Sequence, residues 1–189
     1  PNVDVFWQHL YNQADLITEI PADHFDYTPW YDAAYHPETE TGFSNEDKMY
    51  CKWGSFINDV DKFDASFFNV SPREAALMDP QLRYLLQTLY HTAEDAGYGG
   101  TIRGSRTGMF VGACFHDYAE EMFRQGKKVE AHDGTGNSAT MLANRPSFYF
   151  DLTGPSLAID TACSSSLFAL HYACKALQND ECDMAFAAG

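Results

Sequence analysis

The sequence is poor in basic residues. Its 12 lysines and arginines stand against 27 aspartates and glutamates, which gives a formal net charge of −15 at pH 7. General binding of nucleic acids or of anionic membranes requires a cationic face on the protein. The charge balance therefore argues against both functions, and we expect neither nucleic acid nor membrane among the partners.

Long apolar runs are also missing. No stretch of the chain approaches the roughly 20 apolar residues that span a bilayer. The opening residues 1–4 (PNVD) have neither the basic start nor the apolar stretch of a secretory signal. We therefore expect a cytoplasmic protein.

Paired cysteines are a third absence. None of the 5 cysteines belongs to a Cys-x-x-Cys pair, so the spacing indicates neither a zinc site nor a disulfide scaffold. We expect reduced thiols and no directly bound metal or cofactor. Cys174 and Cys182 are predicted to be core residues, Cys51 and Cys114 are not assigned, and Cys163 is treated below.

The composition that remains is typical of a globular protein. The chain has 189 residues, of which 45% are hydrophobic, 21% charged and 15% aromatic. A domain of this size hides roughly 70% of the surface that its unfolded chain exposes. This composition excludes a disordered chain, and the length alone predicts about one domain.

The earlier part of the chain contains several helix signals. Residues 4–12 have helical spacing, whereas residues 21–54 form a long irregular stretch, which is usually functional or docked on a partner. Ser71, followed by Pro72 and by Glu74 three residues after the cap, predicts a helix start. Further predicted elements are a helix from Asp79-Pro80 to Gly97, a buried strand over 107–113, and helices over 116–125 and 138–145.

The last part of the chain predicts a strand over 156–162, a helix over 164–178 and a second strand over 183–188. A strand, a helix and a strand within about 35 residues form a βαβ unit, with a parallel strand pair and a right-handed crossover. The fold class is therefore α/β. The helix residues that we expect to face inward are Leu167, Leu170, Ala173, Cys174 and Leu177.

Cys163 lies where this strand ends and this helix begins. A helix N-terminus carries unpaired N–H groups and about half a positive charge, which favours a thiolate over a thiol. The same N–H groups can receive an oxyanion when the thiolate attacks a carbonyl. Ser164, Ser165 and Ser166 are small, so substrate and backbone can approach closely. By position alone, a nucleophile and a small buried residue are equal alternatives for Cys163.

The residues around Cys163 resemble a known signature. Residues 160–167 (DTACSSSL) are similar to the active-site signature of β-ketoacyl synthase (ketosynthase) domains of modular type I polyketide synthases. Further blocks follow in the order of that family over nearly the whole chain. Residues 5–7 and 17–21 look most like bacterial synthases served by a separate acyltransferase. The other matching blocks are residues 56–64, 67–75, 78–83, 94–97, 143–145 and 154–156.

The resemblance implies a thiolase-like fold, layered α/β with a mixed sheet, and a decarboxylative Claisen condensation. Cys163 would take an acyl chain from the phosphopantetheine arm of an acyl carrier protein, with its own backbone N–H in the oxyanion hole. A malonyl unit on another carrier would then lose CO2 and attack the Cys163 thioester. The family also implies a homodimer, in which the strand near residues 156–162 pairs with its twin.

The resemblance further implies that residues 1–189 are a partial domain, the N-terminal half without its first strand. The two histidine motifs that complete the family's site are absent. Residues 132–136 (HDGTG) resemble one of them, but an aspartate interrupts the motif and it precedes Cys163, so we interpret it as a polar loop. We therefore expect the 189-residue chain alone to be inactive in condensation and poorly soluble.

The remaining histidines and one proline carry further expectations. His171 lies eight residues after Cys163 on the same helix, about 12 Å along the axis, and is expected to be packed. His116, next to Asp117, is assigned to a loop near the substrate entrance. Pro146 lies inside a predicted helix, where proline costs on the order of 3 kcal/mol, so either the helix ends early or the domain is compromised.

Two alternatives to the condensing enzyme stay open. A ketosynthase that transfers acyl chains without elongating them would keep Cys163 but lack a late histidine. A dimerisation or structural module would keep only the interaction surface. Because acyl carrier proteins are acidic, docking needs a local basic patch, for which the candidates are Arg73, Arg83, Arg124, Lys127 and Lys128.

Overall fold

The computed structural model divides the chain into two units, Pro1–Asp59 and Val60–Gly189. It describes residues 3–35, 48–124, 126 and 131–189, with side chains throughout these ranges except at 123 and 131–133. Within these ranges, no helix has both the length and the apolar character needed to cross a membrane.

The first unit contains little regular structure. Its two short strands pair antiparallel, with Thr18 opposite Gly54 and Glu19 opposite Trp53. Much of the stretch predicted to be irregular is irregular where the structure describes it. The elements of this unit are α1 (Val3–Tyr11), β1 (Thr18–Glu19) and β2 (Trp53–Gly54).

The first two helices of the second unit begin where the capping residues predict. The Ser71 hydroxyl accepts a hydrogen bond from the Glu74 N–H (3.2 Å), and the Asp79 carboxylate accepts one from the Gln81 N–H (2.8 Å). Gly97 ends the second helix with φ 79°, a left-handed conformation that costs glycine little. The bounds are α2 (Pro72–Leu77) and α3 (Pro80–Asp95).

Three parallel strands form the sheet of the second unit. The first of them in the chain is central, and all 6 of its residues are buried. The other two flank it, so the predicted βαβ unit has parallel strands that are not neighbours, and its helix crosses over the central strand. The elements are β3 (Thr107–Gly112), β4 (Ser156–Ile159), β5 (Met184–Ala188) and the crossover helix α7 (Ser165–Gln178).

The α/β class is confirmed, with an antiparallel pair in the first unit and a parallel sheet in the second. The main core of the second unit joins α3 to the sheet. Leu82, Leu86 and Leu89 from the predicted stripe pack there with Met109 and Val111 of β3. The helical spacing of the leucines and the burial of β3 together determine where this core lies.

The chain between β3 and β4 is helical where we predicted a polar loop at residues 132–136, so that prediction is wrong. Gly136 fits this helix against α2, because a Cβ at this position would lie 3.0 Å from the Leu77 carbonyl oxygen. The Gly136 carbonyl also accepts a hydrogen bond from the Asp79 N–H (3.1 Å). The helices of this connection are α4 (Asp117–Arg124), α5 (Ala131–Asn137) and α6 (Ala139–Tyr149).

Pro146 lies inside α6, and the helix continues past it to Tyr149, so of the two alternatives the early helix end is wrong. Proline supplies no N–H to the carbonyl four residues earlier. Hydrogen bonding resumes directly afterwards: the Ser147 hydroxyl donates to the Ala143 carbonyl oxygen (2.9 Å), and the Phe150 N–H donates to the Pro146 carbonyl oxygen (2.9 Å). Pro146 itself is fully buried and fills core space.

Helix α7 packs on the sheet with its small residues and not with its leucines. The buried residues of this helix are Ser165, Ala169, Ala173 and Ala176. Of the residues predicted to face inward, only Ala173 does. The exposed ones are Leu167 (70%), Leu170 (51%), Leu177 (43%) and Cys174. The leucine spacing was helical, but the close approach of helix to sheet selects the alanine face.

Candidate active site

The turn between β4 and α7 carries Cys163. The strand ends at Ile159 and the helix begins at Ser165, so Cys163 lies just before the first helical residue. Its side chain is exposed. Ala162, directly before it, has φ 55°, in the left-handed region that non-glycine residues seldom adopt. This conformation turns the chain sharply and presents Cys163 at the helix N-terminus.

Polar side chains on both sides of Cys163 bind the backbone of this turn. The Asp160 carboxylate accepts a hydrogen bond from the Ala162 N–H (2.9 Å). The Ser164 hydroxyl donates to the Thr161 carbonyl oxygen (2.8 Å). Both side chains are exposed, and both hold the peptide group that joins Thr161 to Ala162.

The Ser165 hydroxyl binds the same turn from its buried side. It accepts a hydrogen bond from the Thr161 N–H (2.9 Å) and donates to the Ala162 carbonyl oxygen (2.6 Å). The Ser165 N–H donates to this same carbonyl (3.0 Å). Ser165 is 4% exposed, so water competes little for these bonds.

Two glycines let α7 begin close to the sheet. A Cβ on Gly112, the last residue of β3, would lie 2.4 Å from the Ser165 carbonyl carbon. A Cβ on Gly189, which follows β5, would lie 2.4 Å from the Ser166 Cβ. The Cys163 turn therefore lies at the carboxyl edge of the parallel strands, which is the edge where open α/β sheets bind ligands.

The arrangement suits nucleophilic chemistry on a carbonyl. An exposed thiol precedes a helix of 14 residues, whose N-terminal N–H groups favour negative charge on a thiolate or an oxyanion. Among the described residues, no group of three or more histidines, cysteines or carboxylates is placed to hold a metal ion. The equal alternative of a small buried cysteine is wrong for Cys163, because the residue is exposed.

Comparison with known proteins decides the family. The family model of the β-ketoacyl synthase N-terminal domain matches residues 1–189. The chain belongs to this family.

The relatives of this ketosynthase chain are polyketide synthases. Polyketide synthase PksL of Bacillus subtilis is 47% identical over 200 residues, which cover 100% of this chain and 4% of the relative. Polyketide synthase ThaG of Burkholderia thailandensis is 43% identical over 189 residues, which cover 100% of this chain and 3% of the relative. The chain thus spans only a few per cent of the length of these proteins.

Solved structures confirm the thiolase-like fold of the ketosynthase chain. The ketosynthase from module 6 of the Bacillus subtilis bacillaene synthase has a TM-score of 0.80 and 36% identity, covering 97% of this chain and 28% of that one. The Streptomyces albus oxazolomycin ketosynthase domain has a TM-score of 0.79 and 38% identity, covering 96% and 31%. The resemblance seen at residues 160–167 is therefore confirmed at the level of the family.

The histidines of the ketosynthase chain lie in other surroundings than expected. His171 is exposed on α7 with its ring 5.6 Å from the Tyr172 ring, so the prediction that it is packed is wrong. His116 is exposed directly before α4; its predicted place near a substrate entrance stays a prediction. The side chain of His132 is outside the described residues.

The other cysteines differ sharply in exposure. Cys182 is buried as predicted, and burial raises the pKa of its thiol. Cys174 is exposed on α7, so its assignment to the core is wrong. Cys51 is exposed and Cys114 is half-buried.

The basic residues proposed for carrier docking differ in their exposure and in their contacts. Arg73 is exposed. The Arg83 guanidinium lies 5.8 Å from the centre of the Tyr118 ring and is half-buried. Arg124 pairs with Glu121 at 3.4 Å. Lys127 and Lys128 lie outside the described residues.

Sequence reasoning missed the contacts that shape the Cys163 turn. Gly112 and Gly189 also belong to the wall of a cavity of about 470 Å³ that runs along α3 and the ends of β3 and β5. A glycine at the end of a buried strand signals close backbone approach, and this signal could have identified Gly112. Nothing in the sequence pattern distinguishes Ser165 from its serine neighbours.

Proposed function

We propose that Cys163 is the catalytic nucleophile of a β-ketoacyl synthase that works within a polyketide synthase. The observation that carries the proposal is the exposed position of Cys163 at the N-terminus of α7, directly after the left-handed Ala162, in a chain of this family. A cysteine with a purely structural role needs neither solvent access nor a strained residue before it. Strained backbone of this kind clusters at functional sites.

The first half-reaction is acyl transfer to the enzyme. The Cys163 thiolate attacks the carbonyl carbon of an acyl thioester carried on the phosphopantetheine arm of an acyl carrier protein. A new carbon–sulfur bond forms, the bond between the carbonyl carbon and the carrier's sulfur breaks, and the carrier thiol leaves with the proton that Cys163 gave up. The backbone N–H of Cys163 donates to the oxyanion that forms on the way.

The second half-reaction is a decarboxylative condensation. The bond between the malonyl unit and its carboxylate breaks and CO2 leaves. The carbanion that remains attacks the carbonyl carbon of the Cys163 thioester, so a carbon–carbon bond forms and the Cys163 thiolate is released. The activity is that of an acyltransferase of the 3-oxoacyl-carrier-protein synthase type.

The histidines that the family uses in condensation belong to later motifs than any in residues 1–189. We therefore treat the chain as the N-terminal half of a ketosynthase domain. The match of residues 1–189 to the model of the family's N-terminal domain supports this. Residues 17–21 favour a synthase served by a separate acyltransferase.

The partners are an acyl carrier protein and a second copy of the domain. Because the chain carries a charge of −15, an acidic carrier must dock on a local basic surface, and Arg73 and Arg124 are the exposed candidates among the described residues. In the described sheet β4 lies at an edge, with Leu157 46% exposed. An edge strand with an apolar residue supports pairing with a second copy.

Acylation of the full ketosynthase domain tests the proposal. The domain is incubated with an acyl thioester of a pantetheine analogue, and the labelled residue is located by peptide mass spectrometry. We expect the acyl group on Cys163, no label in Cys163→Ala, and full label in the matched control Cys174→Ala, which removes an exposed cysteine from the helix that follows Cys163. Equal labelling of Cys163→Ala would overturn the proposal.

Addition of malonyl carrier protein distinguishes elongation from simple transfer. A condensing enzyme produces a chain that is longer by two carbons, together with CO2 from the malonyl unit. Return of the unextended chain to a carrier identifies a non-elongating ketosynthase instead. The 189-residue chain by itself should show no malonyl-dependent extension.

A further inference from the structure

Ser165 is the buried polar residue of the Cys163 turn. A buried hydroxyl is costly unless it forms hydrogen bonds. The Ser165 hydroxyl forms two, from the Thr161 N–H at 2.9 Å and to the Ala162 carbonyl oxygen at 2.6 Å. Both partners are backbone groups of the turn that precedes the nucleophile, so one buried side chain holds two backbone groups of this turn.

The bond to the Ala162 carbonyl sets the direction of the Cys163 N–H. The two groups belong to the same peptide unit, which is planar and, like every other peptide bond described here, trans. In a trans peptide the C=O and N–H point in opposite directions. A carbonyl held on the buried hydroxyl of Ser165 therefore aims the Cys163 N–H away from the core.

Ser165 is itself held by the sheet. Its backbone lies so close to Gly112 that a Cβ there would come within 2.4 Å of the Ser165 carbonyl carbon and 2.6 Å of its oxygen. The Ser164 hydroxyl and the Asp160 carboxylate, which bind the turn from its outer side, belong to exposed residues. Water replaces the bonds of exposed groups more readily than those of a buried one. Ser165 thus links the reacting turn to the rigid end of β3.

We propose that Ser165 is a positioning residue for the acyl-transfer step, acting through the peptide unit between Ala162 and Cys163. Its hydroxyl fixes the orientation of the Cys163 N–H, the expected oxyanion donor, and keeps Ala162 in its left-handed conformation. Ser165 touches neither substrate nor the reacting atoms. The inference rests on the proposed role of Cys163 as nucleophile.

The test compares two reagents on the full ketosynthase domain. Acylation by the pantetheine thioester passes through an oxyanion, whereas alkylation by iodoacetamide displaces iodide and forms none. We expect Ser165→Ala to slow acylation of Cys163 by about 10- to 100-fold, with alkylation of Cys163, relative to Cys174 in the same sample, changed by less than about threefold. An equal loss of both rates would overturn the proposal, since a smaller thiolate fraction at Cys163 lowers both.

Two variants serve as controls. Ser165→Thr keeps a hydroxyl at the same position and should restore acylation to near the wild-type rate. Ser166→Ala keeps the Cβ that meets Gly189 and removes a hydroxyl from the neighbouring exposed residue, and it should acylate as the wild type does. If Ser165→Ala does not fold, Ser165→Thr provides the test. Acylation of Ser165→Thr at the wild-type rate supports the proposal, and slow acylation of a folded Ser165→Thr overturns it.

The outcomes separate this inference from the proposed function. If the wild-type domain is not acylated on Cys163, the proposed function fails. If the wild type is acylated and Ser165→Ala is acylated at the same rate, only the role of Ser165 fails. Amide hydrogen exchange at Thr161 gives an independent readout, because its N–H loses its partner in Ser165→Ala and should exchange faster while the core helices stay protected.

Discussion

At the scale of single residues, the geometry around Cys163 depends on two positions that have no side chain. Gly112 and Gly189 allow the start of α7 to lie against the strand ends. The backbone φ of neither glycine lies in the left-handed region. Their role is therefore close approach of backbones and not conformational freedom.

A methyl group at Gly112 should disturb this packing. In Gly112→Ala the Cβ meets backbone atoms of Ser165 and Ser166 at 2.4–2.6 Å, which cannot move without shifting α7. We expect the free energy of unfolding to fall by about 1–3 kcal/mol, measured by urea denaturation.

The matched control is Gly134→Ala, in helix α5. Apart from its own helix backbone and chain neighbours, no atom of the described residues lies within 4 Å of a Cβ placed there, and alanine is a better helix former than glycine by up to about 1 kcal/mol. This variant should be as stable as the wild type or more stable. A Gly112→Ala protein that unfolds at the wild-type urea concentration would contradict the close packing described.

At the scale of elements, α2 and α6 are joined by an ion pair between Arg145 and Glu74. The Arg145 Nη2 lies 2.6 Å from the Glu74 Oε1, and the two side chains are only 21% and 15% exposed. The Glu74 carboxylate, three residues after the Ser71 cap, thus also joins the two helices.

A double-mutant cycle measures this pair. Arg145→Met and Glu74→Gln each leave a half-buried charge without its partner, so each single variant should be destabilised more than the double variant. We expect a coupling energy of about 1–3 kcal/mol from chemical denaturation. The exposed pair Arg124–Glu121, at 3.4 Å within one helix, should couple by less than about 0.5 kcal/mol, and equal couplings for the two pairs would contradict the expectation.

The β1–β2 pair should respond to pH through Glu19. A hydrogen bond from the Lys52 ammonium holds the pKa of the Glu19 carboxyl below its ordinary value of 4.5. Because the folded-state pKa is lowered, the stabilisation is complete above about pH 4.5 and is lost as the pH falls through the lowered pKa.

An NMR titration of the Glu19 side chain tests this expectation. The midpoint should lie below 4.5 in the wild type and return towards that value in Lys52→Met. Glu19 is exposed and Lys52 is half-buried, so salt reaches the pair, and high salt should also raise the wild-type midpoint by screening it. A midpoint unaffected by Lys52→Met would contradict the assigned cause.

At the scale of the second unit as a whole, a large apolar surface remains exposed. It lies mainly on the outer side of α7, with Leu157 of β4 also exposed. Soluble proteins seldom expose large contiguous apolar patches without a partner surface. The α7 side chains concerned are Leu167 (70%), Phe168 (43%), Leu170 (51%), Tyr172 (47%) and Leu177 (43%).

Polar replacement on this surface should change association and not stability. In the 189-residue chain, Leu167→Gln together with Leu170→Gln should reduce self-association in sedimentation experiments, with the free energy of unfolding within about 0.5 kcal/mol of the wild type. Leu86→Ala, at a residue that is 1% exposed, should cost about 2–5 kcal/mol. Comparable losses for the two changes would show that these leucines are packed in the folded chain.

The local features of this protein can be predicted from short stretches of its sequence. Ser71 and Asp79 start helices because a side-chain oxygen satisfies an N–H group two or three residues away, which needs no distant partner. The position of Cys163 between a strand and a helix is equally local, and the motif around it identifies the family. The α/β class follows from these element signals together.

The tertiary structure decided which surfaces meet. The apolar spacing of α7 indicates a helix, but both its alanine face and its leucine face satisfy that spacing. The alanine face packs inward because β3 ends in Gly112, where the two backbones come within van der Waals contact. The position of β3 between β4 and β5 and the packing of Ser165 against Gly112 likewise join residues that are far apart in the chain. Local sequence patterns do not encode such long-range contacts.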